Sequence, residues 1–208
     1  MYGSYVRLLS TNLTDIGNIY IKTMETKKRK PNLNEVQSAM QSDILSPRTL
    51  SPEVAELLVE RLGDEYTAHY FYRNASNWCM DKAYVNAGAY FAAEASSELE
   101  HAGLLQTYLV GWNIVPVIPP VKMIPSFTTL IDIVNKAYVL EYNLLTKYNM
   151  DSSMIISIDL NTFDFLKQLR DIQNSAVAEY SDLLNAAQLV NVENNFEVLY
   201  YEGKYFKG

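Results

Sequence analysis

Residues 97–103, SELEHAG, place a glutamate and a histidine three positions apart in a stretch whose sequence favours a helix. Histidine is rare in this chain, which has two in 208 residues. Side chains three residues apart share one face of a helix, so Glu98 and His101 would lie together. If that face points into a core, the buried carboxylate and imidazole need a partner, and a metal ion can bind both. The alternative is an exposed Glu/His pair with no function.

Four predicted helices place oxygen-bearing side chains on their apolar faces when the sequence is projected with a period of 3.6 residues. The residues concerned are Glu65 in the first helix, Glu98 with His101 in the second, Glu141 in the third and Gln173 in the fourth. Each unpaired carboxylate would cost on the order of several kcal/mol on burial, so a shared ligand is expected. Oxygen ligands with one imidazole suit Fe²⁺ or Mn²⁺. Two metal ions sharing a bridging glutamate would balance the negative charge.

The helices that carry these side chains are predicted at residues 52–78, 82–110, 129–148 and 162–189. Ser51 is a favourable N-cap before Pro52, and four prolines between residues 112 and 125 favour an extended connection there. The first and second helices are joined by a short link, as are the third and fourth. This pattern predicts an all-α, ferritin-like four-helix bundle with one long crossover, in which the second and third helices run parallel.

The predicted bundle covers residues 51–189 and leaves a segment at each end. Residues 1–50 show no sustained periodicity, contain one short helix candidate at residues 34–42, and include the basic run KKRK at residues 27–30. We interpret them as an N-terminal extension. The C-terminal tail, residues 190–208, contains the aromatic segment FEVLYYEGKYF at residues 196–206, which favours a strand or hairpin over a helix.

The composition favours a protein that handles cations. The net charge is −7, and the residues after position 50 hold ten Lys and Arg against twenty Asp and Glu, which disfavours nucleic acid as a partner. Cys79 is the only cysteine, so an intrachain disulfide cannot form, as is usual in a reducing compartment. The sequence shows neither a signal peptide nor an apolar run of about 18 residues. We therefore expect a soluble, cytoplasmic protein with no membrane role.

Four short motifs on the predicted helices carry a family resemblance. They are EYTAHYFY with Glu65 and Tyr72, ELEH with Glu98 and His101, YVLEYN with Glu141, and TFDFL ahead of Gln173. From about residue 50 to residue 189 the chain resembles the bacterial-type non-haem ferritins, which are di-iron carboxylate bundles. Oxidase and rubrerythrin-like relatives carry a second E-x-x-H on the fourth helix, where this chain has Gln173 and Ala176. Leu99, in place of a methionine, disfavours a haem-binding bacterioferritin.

The resemblance implies a ferroxidase that oxidises Fe²⁺ with O2 for iron storage or detoxification. It implies two iron ions per chain, one held by Glu65, Glu98 and His101. The other would be held more loosely by Glu98, Glu141 and Gln173, and Mn or Zn could substitute for iron. Tyr72 would supply an electron or a hydrogen bond, or would serve only in packing. The family's assembly implies a homo-oligomer, a cage of 24 subunits.

Departures from the family pattern leave other functions open. The positions of a third iron site hold Ser97, Ile172 and Ala176, so no third site is expected. His69 and Glu94 lie one turn from predicted ligands, but we assign neither a ligand role. One alternative is a structural protein with a reduced or vestigial iron site, docked through residues 1–50 to a shell, a capsid or another protein. Another is a different di-metal oxidase with an organic substrate.

Overall fold

The computed structural model describes residues 47–118, 120 and 125–207. The chain divides at Pro47, and the helices below all belong to the second unit, Arg48–Gly208. They are α1 (Pro52–Asp81), α2 (Val85–Gly111), α3 (Leu130–Ile155), α4 (Leu160–Ala187) and α5 (Asn195–Tyr205). The described ranges contain no strand. The helix candidate at residues 34–42 and the basic run at residues 27–30 lie outside the described residues.

The directions of the helices follow from contacts between their middles. Tyr72 of α1 contacts Glu141 of α3, and Glu65 of α1 contacts Tyr148 of α3, so these two helices run antiparallel. A short turn makes α1 and α2 antiparallel as well. The second and third helices therefore run parallel, so the connection between Gly111 and Leu130 is the crossover. The predicted four-helix bundle with one crossover is confirmed.

Side chains at the helix starts bind backbone N–H groups that the first turn leaves free. Ser51, Thr129 and Asp159 accept such bonds at the starts of α1, α3 and α4. These residues explain why three helices begin within about two residues of their predicted starts.

Helix α2 is capped from another part of the chain. Tyr84, at its N-cap position, makes no side-chain hydrogen bond to the backbone of the first turn. The carboxylate of Glu202, in α5, accepts bonds from the backbone N–H groups of Asn86 and Ala87 at 2.6 and 3.0 Å. A carboxylate at a helix N-terminus also interacts favourably with the helix dipole. Glu202 therefore joins the C-terminal helix to the bundle.

The predicted strand or hairpin at residues 196–206 is wrong, because this segment forms α5. Asn194 caps the helix by accepting a bond from the N–H of Phe196. Val198 and Tyr201, three residues apart, are both buried, and the Tyr201 hydroxyl donates to the carbonyl of Leu183 at 2.8 Å. Packing of one helical face against the bundle overrides the strand preference of the aromatic residues.

Helix α3 continues to Ile155, past its predicted end at residue 148. Asp151 and Ser152 are buried with partners instead of exposed. The Nε atom of Arg61 lies 3.1 Å from an Asp151 carboxylate oxygen, and the Ser152 hydroxyl donates to the carbonyl of Tyr148. The remaining helix ends lie within three residues of the predicted ones.

Two apolar clusters fill the bundle, one on each side of a polar layer. This layer consists of Glu65, Glu98, His101, Glu141 and Gln173. The first cluster includes Phe71, Phe91 and Val134, and the second includes Leu58, Leu105 and Leu166. On each long helix the polar layer falls between the residues of the two clusters, so apolar side chains surround the candidate site. No helix in the described part of the chain is both long and apolar enough to span a membrane.

Candidate metal centre

The polar layer contains all five side chains that the sequence predicts as ligands. Glu65 of α1, Glu98 of α2, Glu141 of α3 and Gln173 of α4 are buried, and His101 of α2 is partly buried. Each lies near the middle of its helix, as the 3.6-residue period predicts. The structure thus brings the predicted residues together, and their role as ligands stays a prediction.

Glu65, Glu98 and His101 form a group in which one ligand atom from each residue lies within 4.8 Å of the others. His101 Nδ1 is 3.1 Å from Glu98 Oε2 and 3.6 Å from Glu65 Oε2. Glu65 Oε2 is buried and has no hydrogen-bond partner among the described residues. A buried oxygen without a partner is costly, and a cation bound here would satisfy it. Two carboxylates and one imidazole are a suitable donor set for Fe²⁺.

Glu141 forms the other half of the layer and is fully buried. The hydroxyl of Tyr72 donates to its Oε1, and the amide of Gln173 donates to its Oε2 and, at 3.1 Å, to its backbone carbonyl. Neutral donors therefore hold this carboxylate in place. Gln173 can offer a cation only a neutral amide oxygen, so this half is the weaker place for a metal ion.

Burial is the main influence on the protonation of the site. It raises the pKa of Glu98 well above its usual range and that of Glu141 to about 7. Burial lowers the pKa of His101, but the neighbouring carboxylates of Glu65 and Glu98 raise it by more than burial lowers it, to about 10. The metal-free centre therefore retains protons, which a binding cation must displace.

Tyr148 is a contact of the site that the sequence analysis did not single out. Its hydroxyl donates to Glu65 Oε1 from α3, just as the Tyr72 hydroxyl donates to Glu141 from α1. Each tyrosine follows the glutamate of its own helix by seven residues and binds the glutamate of the other helix. The repeated E-x6-Y spacing in the first and third helices is the signal that identifies Tyr148.

Two further residues near the predicted ligands make contacts elsewhere. His69 Nδ1 lies 2.5 Å from the backbone carbonyl of Ala95, so the histidine binds the backbone of α2. Glu94 is partly buried and accepts a hydrogen bond from the Tyr180 hydroxyl at 3.3 Å. Within the described residues, neither belongs to the group that could hold a metal ion.

A family model described as the ferritin-like domain matches residues 55–190. The chain belongs to the ferritin-like family. It is 31% identical over 160 residues to the bacterial non-heme ferritin of Campylobacter jejuni subsp. jejuni serotype O:2, and the aligned region covers 76% of this chain and 95% of that relative. It is 24% identical over 159 residues to the bacterial non-heme ferritin of Escherichia coli O6:H1, with 76% of this chain and 92% of that relative aligned.

Solved ferritin structures share the fold. An open pore ferritin from the hyperthermophilic archaeon Archaeoglobus fulgidus superposes with a TM-score of 0.71 at 16% identity, covering 76% of this chain and 98% of that one. Chlorobium tepidum ferritin superposes with a TM-score of 0.66 at 20% identity, covering 74% and 94%. The resemblance to bacterial-type non-haem ferritins that the motifs indicated is confirmed.

Proposed function

We propose that this protein is a ferroxidase that oxidises Fe²⁺ with O2 at two adjacent positions in the bundle, for iron storage or detoxification. Membership of the ferritin-like family and the likeness to bacterial non-heme ferritins support iron as the ion. The observation that carries the proposal is the buried group of Glu65, Glu98 and His101. In it, a carboxylate oxygen lacks a hydrogen-bond partner within the described part of the chain.

The two halves of the polar layer would hold the two substrate ions with different strength. Glu65, Glu98 and His101 would hold the first Fe²⁺, and Glu98, Glu141 and Gln173 would hold the second, with Glu98 shared. Fe²⁺ supplies one electron per ion to O2. The same donor set would accept Mn²⁺ or Zn²⁺. The apolar clusters on both sides of the layer limit the access of water and strengthen the electrostatic interactions inside it.

Tyr72 is proposed to take part in the oxidation in addition to holding Glu141. It is completely buried, and burial raises the pKa of its hydroxyl well above the usual range, with further contributions from Glu141 and Glu98. The phenol therefore stays protonated at neutral pH and can give up an electron together with its proton. This supports the role of electron donor that the family resemblance implies.

We further propose that the chain forms a homo-oligomer, with the cage of 24 subunits as the expected assembly. Large apolar side chains are exposed on the described surface, including Val115, Leu189 and Phe196 at 86, 84 and 76% exposure. Exposed apolar area of this kind is typical of contact surfaces between proteins. The mass of the purified protein by light scattering tests the assembly. Docking of a partner through residues 1–50 and a cytoplasmic location stay predictions.

The ferroxidase is tested by adding Fe²⁺ without oxygen to the metal-free protein, admitting air, and recording ferric absorbance against iron per chain. We expect rapid oxidation with a break at about two iron ions per chain, the number expected of di-iron bundles. Glu98→Ala should abolish the rapid phase. Glu100→Ala is the matched control, because Glu100 is an exposed glutamate on the same helix. Oxidation no faster than in buffer, or unchanged in Glu98→Ala, would refute the proposal.

A further inference from the structure

Three tyrosine rings form a continuous path from the candidate site to the side of the bundle. The ring of Tyr72 is stacked on that of Tyr180, with centroids 5.8 Å apart and planes inclined by 16°. The ring of Tyr180 contacts that of Tyr90 edge-on, at 6.3 Å and 73°. Tyr72 and Tyr180 are fully buried, whereas Tyr90 is partly exposed. The path therefore begins beside Glu141 and ends at solvent.

The two outer tyrosines each have a carboxylate of their own, as Tyr72 has. The hydroxyl of Tyr180 donates to Glu94 Oε2 at 3.3 Å, and the hydroxyl of Tyr90 donates to Glu179 Oε1 at 2.8 Å. A tyrosine that loses an electron must also lose its proton, because a charged ring inside an apolar core would be costly. A carboxylate on each hydroxyl supplies an acceptor for that proton.

The neighbours of Tyr72 leave one direction in which an electron could pass between Tyr72 and another oxidisable ring. In the described part of the chain its ring contacts those of Phe71, Phe91 and Tyr180. A phenylalanine ring has no hydroxyl proton to release and is much harder to oxidise than a phenol. Phe91 is stacked on Tyr72 at 6.1 Å, nearly the spacing of Tyr180, so distance alone does not select the path. The hydroxyl chemistry selects Tyr180.

We propose that Tyr180 and Tyr90 conduct electrons from the surface to Tyr72, and so supply electrons to the oxidation that the proposed ferroxidase carries out. This inference rests on that proposed function. Reduction of O2 to two water molecules consumes four electrons and four protons. The protons come from solvent water, and two Fe²⁺ ions provide two of the electrons. The tyrosine path provides the other two, drawn from a one-electron reductant in solvent.

Each transfer along the path is balanced within a tyrosine–carboxylate pair. The inner tyrosine, once oxidised, receives an electron from the next tyrosine outward and recovers its proton from its own carboxylate. The outer tyrosine loses its electron and passes its proton to its own carboxylate. Oxidation thereby moves from Tyr72 to Tyr180 and then to Tyr90, where the solvent reductant restores the phenol.

The test follows the tyrosyl radical itself. Metal-free protein is loaded with about two Fe²⁺ per chain, mixed with O2, and frozen at a series of times for electron paramagnetic resonance, with and without ascorbate as the reductant. In the wild type, ascorbate should remove the radical rapidly. In Tyr180→Phe the radical stays on the buried Tyr72, so its lifetime with ascorbate should be about tenfold longer, which corresponds to a modest added barrier. Tyr90→Phe should also lengthen it.

Tyr108→Phe is the matched control. Tyr108 is a partly buried tyrosine of α2 that stacks on Phe165 at 4.0 Å, and its hydroxyl shares a hydrogen bond with Thr162. It has no carboxylate on its hydroxyl among the described contacts, so its loss should leave the radical lifetime at the wild-type value. Thermal unfolding and Zn²⁺ binding by each metal-free variant show whether the fold and the metal centre are intact.

The outcomes separate this inference from the function on which it rests. If iron is oxidised and the radical lifetimes are equal in wild type, Tyr180→Phe and Tyr108→Phe, the proposed electron path is refuted and the proposed ferroxidase activity is not. Oxidation that produces no tyrosyl signal in any of these proteins would do the same. Absence of iron oxidation in the wild type would refute the ferroxidase and the path with it. Tyr90 is partly exposed, so Tyr90→Phe provides a second variant if Tyr180→Phe does not fold.

Discussion

Replacing Tyr148 with phenylalanine changes the first metal position by a single hydroxyl. The buried ring is retained, and only the group that donates to Glu65 Oε1 is lost. The other oxygen of Glu65 already lacks a hydrogen-bond partner in the described residues. The carboxylate would therefore have no hydrogen bond to orient it toward Glu98 and His101.

The size of the effect follows from the type of bond that is lost. A hydrogen bond to a charged group contributes about 1.5–3 kcal/mol. A side chain that orients a metal ligand typically contributes about 10- to 100-fold in metal affinity, and tenfold corresponds to about 1.4 kcal/mol. We expect Tyr148→Phe to weaken binding of the first ion by about 10- to 100-fold. Tyr72→Phe should instead weaken the second ion, by less, because Gln173 still donates to Glu141.

Titration calorimetry of the metal-free protein with Zn²⁺ measures these affinities without oxidation. Two binding steps are expected in the wild type, and Tyr148→Phe should weaken the tighter one. Tyr70→Phe is the control, because Tyr70 lies on the same helix α1 and is 44% exposed. A first step that is unchanged or tighter in Tyr148→Phe would refute the reasoning that Tyr148 orients Glu65.

Three other predictions concern the cap, the buried ion pair and the number of iron ions. Glu202→Ala should lower the free energy of unfolding by about 1–2 kcal/mol in urea titrations, because Asn86 and Ala87 lose their cap; the exposed control Glu193→Ala should have no effect, and an equal effect would contradict the cap. Burial raises the pKa of Asp151 from 3.8 to about 6 despite Arg61, so the folded chain holds this proton more tightly, and stability present at low pH is lost as the pH rises through 6. Between pH 4 and pH 7, the free energy of unfolding of the wild type should therefore fall by up to about 3 kcal/mol relative to that of Asp151→Asn. A difference between the two proteins that stays constant with pH would contradict this. Iron binding should end at about two tight ions per chain, because the third-site positions lack carboxylates, and three tight ions would be incompatible with it.

The bundle and the layer of candidate ligands were accessible from sequence because both depend on local periodicity. Glu65, Glu98 and Glu141 stand among apolar residues at helical spacing, and this pattern is unusual enough to be noticed without a structure. The N-cap Ser51 located the start of the first helix in the same way. Agreement between local preference and global packing is what makes such features predictable.

The remaining features depend on contacts between distant parts of the chain. Tyr148 is one of 16 tyrosines, so its spacing from Glu141 did not distinguish it until Glu65 was found opposite. Asp151 lies past the predicted end of the third helix, and its partner Arg61 is ninety positions earlier in the sequence, so the pair could not be recognised from local pattern. The segment at residues 196–206 has the composition of a strand, and its helix is stabilised by packing and by Glu202 at the start of α2.

The central claim is that the polar layer holds two iron ions, and anomalous X-ray diffraction at the iron edge tests it most directly. Crystals soaked in Fe²⁺ without oxygen should show one peak among Glu65, Glu98 and His101. A second should lie among Glu98, Glu141 and Gln173, about 3.5–4 Å away as in other two-metal sites. Iron confined to the surface, with neither position in the polar layer occupied, would contradict the account.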